Sequence, residues 1–106
     1  LDSNYSKGIY IVITTEKDKK NALRIASLLL IEKLVPCVSF KNIDSLFWWE
    51  GKINQSKEVQ LIIKCKKDNI YKVCRKISEN HSYEVPEIIY LPISTNKDYF
   101  EWASSI

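Results

Sequence analysis

The hydrophobic residues along the chain change their period several times. From Gly8 to Thr15 the run Gly-Ile-Tyr-Ile-Val-Ile-Thr-Thr is rich in β-branched residues and alternates little in polarity, the pattern of a strand covered on both faces. Between Lys17 and Lys33 the period lengthens. Ala22, Ile25, Ala26 and Leu29 recur at helical spacing, with Thr15 or Asp18 placed to accept amide hydrogens of the first turn. Pro36 has no N–H with which to continue that helix, and from Cys37 to Phe40 an extended pattern resumes and runs on toward Trp48. Glu50-Gly-Lys52 is a turn signal. From Lys57 to Lys66, Val59, Leu61, Ile63 and Cys65 occupy one face, so the second and third strands read as a hairpin.

Asp68 is placed to cap a second helix, whose stripe is Ile70, Val73, Cys74 and Ile77. Ile88 to Leu91 makes a fourth strand. After Pro92, Ser94 or Thr95 is placed to cap a short last helix carrying Tyr99, Trp102 and Ile106 near one side. The order βαββαβ plus α predicts an α+β fold, a ferredoxin-like antiparallel sheet with two helices on one face. The other face is then uncovered, although Gln60 alternates there with Ile62 and the first strand is apolar on both sides from Ile9 to Ile13. Two explanations stand: self-association across the open face, or cover from the terminal helix alone.

Length and composition narrow the class. The chain has 106 residues, 45% of them hydrophobic, with two glycines and three prolines, which supplies one core and little linker. Residues 1–7 are polar and aperiodic and are expected to be disordered, leaving 8–106 as a single domain. The longest apolar run, around Ala26 to Ile31, falls far short of a bilayer span, so no membrane is expected as a partner. A net charge of +3 from 16 basic and 13 acidic residues in alternation argues against nucleic acid. Three cysteines at wide spacing, Cys37, Cys65 and Cys74, do not make a disulfide framework and point to a reducing, cytoplasmic setting.

Several uses of such a sheet fail on the residues they require. RNA recognition needs aromatics along the third strand, and Glu58 to Cys65 has none. A soft-metal chaperone needs a Cys-x-x-Cys pair after the first strand, and Thr14 to Asp18 contains no thiol. A phosphate-ester hydrolase needs a basic anion cradle, and both arginines, Arg24 and Arg75, fall within predicted helices. Without a nucleophile–base pair or a phosphate loop, no enzyme activity is expected.

The segment His81-Ser-Tyr-Glu-Val-Pro-Glu-Ile88 closely resembles the His-Pro-Tyr-Glu-Val-Pro-Glu-Ile signature of the CutA divalent-cation tolerance family. Pro36-Cys-Val38 resembles that family's Ala-Cys-Val, and Phe47-Trp-Trp-Glu-Gly-Lys-Ile53 its Tyr-x-Trp-x-Gly-x-Ile hairpin. Glu58, Leu61 and Lys64 match the following strand, and Tyr99 to Trp102 is similar to the closing Tyr-Leu-x-Trp, so the resemblance runs from about Tyr10 to Ala103. It implies a non-enzymatic homotrimer, related in shape to PII signalling proteins, that is linked to tolerance of copper and other divalent cations. The alternative it leaves is a PII-like signalling or scaffold trimer that binds a small metabolite or a protein at an intersubunit cleft.

The candidate site residues follow from those matches. His81, the sole histidine, and Cys37 are the candidate ligands for Cu2+ or another divalent cation, although Cys37, at the start of a buried strand, reads first as an inert packed thiol. The family's described copper ligands add a second histidine and a cysteine, where this chain has Asn80 and Thr14, and Ser82 replaces the family's proline. Trp49, Glu58, Lys64, Tyr83, Glu84 and Glu87 form the expected polar cluster at a cleft, with Glu58 or Glu84 paired to Lys64. Trp48 and Trp49 are expected at an interface with a neighbouring subunit, or packed in the core.

Overall fold

The computed structural model describes residues 6–106. Most of the segment expected to be disordered, 1–5, therefore lies outside the described residues, while Ser6 and Lys7 already belong to the first strand. The elements are β1 (Ser6–Glu16), α1 (Lys19–Ile31), β2 (Cys37–Trp49), β3 (Lys52–Lys66), a 3-10 turn at Lys67–Asn69, α2 (Ile70–Asn80), β4 (Ile88–Ser94) and α3 (Lys97–Ser104). All strand pairings are antiparallel, in the order β2-β3-β1-β4.

Local chemistry sets the joints. Asp18, not Thr15, caps α1, its carboxylate accepting from the Asn21 amide at 2.9 Å. That bond holds its carboxyl below the ordinary carboxylate value. The helix ends in a Schellman arrangement, with Lys33 N–H on the Leu30 carbonyl and Leu34 N–H on the Leu29 carbonyl, both at 3.0 Å. Lys33 takes the left-handed conformation usually given to glycine there. The β2–β3 turn also places both its central residues, Glu50 and Gly51, at positive φ, as a two-residue hairpin requires. Asp68 does not cap α2: it sits inside the 3-10 turn, and Asn69 occupies the cap position and donates its side-chain amide to the Leu34 carbonyl at 3.0 Å. At α3 the cap position is Asn96, one residue beyond the predicted Thr95. β4 passes through Pro92, which an edge strand tolerates.

α1 and α2 pack on one sheet face. Val12, Leu61, Ile63 and Cys65 from the sheet meet Ala22, Ile25, Leu29, Val73 and Ile77 from the helices, all of them buried. Cys65 and Cys74 belong to this layer, as the sequence parity predicts. α3 takes the other face at one end, where the Cys37 thiol lies 3.4 Å from the Tyr99 hydroxyl and Ile9 is fully buried. Gly8 lies so close to the Phe100 ring that any Cβ there would overlap it. The terminal helix does not cover the rest of that face. Ile11, Ile13 and Ile62 are half-buried, and Ile89 and Leu91 are 48% and 41% exposed.

Candidate functional site

Among the described residues, the densest polar network lies where the end of β1 meets the loop after α2. Glu16 is fully buried, and its carboxylate accepts the Lys17 amide on Oε1 and the Ser82 amide on Oε2, each at 2.9 Å. Thr14, on the same helix-facing side of β1, has its hydroxyl 3.1 Å from Nε2 of His81. Nδ1 of His81 accepts the Tyr83 amide at 3.1 Å. The Tyr83 hydroxyl donates to Glu58 Oε2 at 2.6 Å, a short charge-assisted bond. Burial, reinforced by the Glu58 carboxylate, pushes the Tyr83 phenol above the usual tyrosine range.

Nδ1 of His81 also stands 3.6 Å from Glu16 Oε2. That distance is too long for a hydrogen bond, and an ion pair there needs a proton on the nitrogen that already accepts the Tyr83 amide. The Ser82 amide, not the imidazole, satisfies that oxygen.

Beside this network a cleft of about 380 Å³ opens between the start of α1 and the base of the β2–β3 hairpin. Lys17, Lys19, Asp44, Lys57 and Glu58 line it over Ile43 and Val59. Lys57 is spent on Asp44 at 3.2 Å, and Lys19 sits 4.2 Å above the Phe40 ring. Glu58 is the buried acid of the group.

The structure brings together His81, Tyr83 and Glu58 and separates the remaining sequence candidates. Glu58 and Lys64 share a face of β3 but stand six residues apart, about 20 Å at ~3.3 Å per residue, so the expected Glu58–Lys64 pair does not form within a protomer. Lys64 sits opposite Cys37 and Ile11 instead. Trp49 pairs with Lys52 at the hairpin tip, a further six residues from Glu58 on the other side. Glu84 and Glu87 are exposed, and among the described residues neither makes an ion pair with Lys64. Trp48 is 71% and Trp49 42% exposed, so neither is core within the protomer.

The two candidate metal donors also part company. Cys37 points to the α3 face, where it meets Tyr99, while the His81 imidazole bonds Thr14 on the face of α1 and α2. The imidazole is fully buried with both nitrogens engaged. Among the described residues no three His, Cys, Asp or Glu side chains gather as a metal centre requires. The donors within a protomer thus do not fit a resident copper ion. Glu16 is the residue that sequence reasoning missed: its sign was a carboxylate sharing the parity of Val12 and Thr14 in an otherwise apolar strand.

A four-stranded sheet in this order, two helices on one face and a third at one end of the other define a ferredoxin-like α+β protein. Residues 10–105 match the family model described as CutA1 divalent ion tolerance protein. The divalent-cation tolerance protein CutA of Pyrococcus horikoshii is 38% identical over 93 residues, 87% of this chain and 91% of that protein. The solved structure of the periplasmic divalent cation tolerance protein CutA from Archaeoglobus fulgidus superposes with a TM-score of 0.86 at 34% identity, covering 90% of this chain and 94% of that one. CutA1 from Oryza sativa gives 0.86 at 35% identity, covering 93% of each chain. The chain belongs to the CutA1 divalent ion tolerance protein family. Among the described residues no helix is long and apolar enough to cross a membrane.

Proposed function

We propose that this protein acts as a non-enzymatic, cytoplasmic homotrimer in the response to divalent cations, copper among them. The observation that carries the reading is the apolar surface a protomer leaves open. Ile89 and Leu91 on the sheet face, and Leu46, Phe47, Trp48 and Ile53 on the hairpin, are between 40% and 72% exposed. Apolar surface exposed on both the sheet face and the hairpin calls for another copy of the chain. Trp48 and Trp49 are then interface residues, and a neighbour's hairpin is what would complete a cleft holding Trp49, Lys64, Glu84 and Glu87 from different protomers. His81 and Cys37 are each occupied inside the protomer, so a cation acting on the trimer meets ligands that assembly supplies.

Native mass spectrometry of the metal-stripped protein, alone and with substoichiometric Cu2+, tests the reading. The expected result is a trimer that takes up copper; a monomer overturns the account of the open face. A trimer indifferent to copper shifts the weight to a second reading, a PII-like trimer that binds a small metabolite. The cleft of about 380 Å³, with the buried Glu58 carboxylate among lysines, favours that alternative, since its size is that of a small-ligand site.

A further inference from the structure

We propose that His81 is not a metal ligand but a positioning residue, held by Thr14 beside the buried Glu16 so that its loop delivers the Tyr83 hydroxyl to Glu58. The inference concerns this chain's own residues and does not depend on whether the trimer binds copper. The geometry dictates a single tautomer. A backbone N–H can only donate, so Nδ1, which receives the Tyr83 amide at 3.1 Å, carries no proton. The ring proton then sits on Nε2 and is donated to the Thr14 hydroxyl at 3.1 Å. Neither nitrogen keeps a lone pair for a cation. Nδ1 spends its lone pair on Tyr83, and Nε2 would have to lose its proton and its Thr14 bond inside a side chain with no solvent exposure.

Glu16 fixes the loop from the other side. Its Oε2 takes the amide of Ser82, between His81 and Tyr83, so two consecutive loop amides are tied to side chains at the root of β1 or packed on it. The Tyr83 ring leans on the imidazole with centroids 5.2 Å apart, and its hydroxyl meets Glu58, an acid on the opposite face of β3 from Val59 and Leu61. The chain of contacts therefore runs from the helix layer round the sheet to a wall of the cleft. Its output is the fixed orientation of the Glu58 carboxylate.

His81 is the only histidine, so its ring can be followed without assignment. In a long-range 15N–1H spectrum of the wild-type trimer the ring is expected as the Nε2–H tautomer, and addition of Zn2+ is expected to leave its shifts in place. An Nδ1–H ring, or one that moves on zinc binding, overturns the proposal. His81→Asn keeps an acceptor near the Nδ1 position and should retain the slowly exchanging Tyr83 hydroxyl proton, whereas His81→Gln, which mimics Nε2, should lose it. Copper affinity should change less than twofold in either variant, and a tenfold loss at unchanged trimer mass overturns the idea. If the variants fail to fold, the wild-type tautomer and zinc measurements decide by themselves.

Discussion

Replacing Glu16 by glutamine changes one oxygen for an amino group and leaves shape and volume alone, so it isolates what the charge and the second acceptor do. In the wild type both oxygens receive backbone N–H groups at 2.9 Å, one from Lys17 and one from Ser82, in a side chain with no exposure. A hydrogen bond to a charged group contributes about 1.5–3 kcal/mol, and a buried donor left facing another donor costs about 1–3 kcal/mol. Glutamine keeps one acceptor at neutral strength and points its amino group at the other N–H. The desolvation of a buried carboxylate works the other way, because removing a charge from the interior recovers part of its cost. Loss of one bond and weakening of the other outweigh that recovery, since the N–H groups stay in place after the charge is gone. The expected net loss is about 2 kcal/mol, or about 10 °C in melting temperature for a domain of this size. Urea unfolding at a fixed protomer concentration is the assay, because oligomer stability depends on concentration. A Glu16→Gln midpoint within ~0.5 kcal/mol of wild type, the scatter of ordinary surface substitutions, would show that the two N–H groups find water and that Glu16 anchors nothing.

Three further outcomes are expected. Gly8→Ala forces a methyl group into the Phe100 ring and should cost about 1–3 kcal/mol by overpacking, read in the same urea titration; an unchanged midpoint would mean that α3 yields freely. Burial pushes the Cys65 thiol from 9.0 to about 12, so the folded state keeps a proton that the unfolded chain releases. Stability present below pH 9 is lost as pH rises toward 12, and Cys65→Val should flatten that decline; an equal slope in the variant refutes the assignment. Trp48→Glu places a charge on the exposed apolar hairpin and should convert a particle near 37 kDa, three times the 12.4 kDa protomer, into monomer by light scattering, whereas an intact trimer would remove Trp48 from the interface.

Much of the fold is legible in the sequence because short-range periodicity determines it. Val59, Leu61, Ile63 and Cys65 share a buried face as their spacing of two requires, and the stripe of Val73 and Ile77 faces the sheet. Boundaries were less readable where neighbours compete for one role. Asp68 and Asn69 are both good cap residues, and a 3-10 turn, invisible in the pattern, moves the helix start past the first of them. β3 begins at Lys52, before the predicted Lys57, because the intervening Asn54, Gln55 and Ser56 carry no apolar alternation, yet each has a ladder partner on β2. The site was half legible. A contiguous motif places His81 near Tyr83, but Glu16 and Ser82 meet across 66 residues of sequence, and no local rule predicts that. Lys64 entered the expected cluster through its match to the family's strand motif, which says nothing about the ~20 Å that separates it from Glu58 along the strand.

That length along β3 also bears on assembly. β1 reaches only as far as Val59, through Glu16, while the β2–β3 ladder runs on from Asn42↔Val59 to Trp49↔Lys52. Beyond Val59 the hairpin is a ribbon of two strands with, among the described residues, no third strand beside it and, near its tip, exposed Leu46, Phe47, Trp48 and Ile53. An isolated two-stranded ribbon is marginally stable in water, and unpaired edges beside apolar side chains are sites where other chains add. The tight Glu50-Gly51 turn fixes the register of that ribbon without giving it anything to pack on. A sequence that places aromatic residues at the end of an unsupported arm gains from them only if the arm lies on another molecule. The sheet face bearing Ile89 and Leu91, which α3 leaves open, offers a complementary surface on a second copy. The two open surfaces are different patches of one chain, so joining them is a head-to-tail contact, and such a contact stays finite only when the rotation closes into a ring. A closed ring of three satisfies both surfaces on every protomer, as the proposed trimer requires.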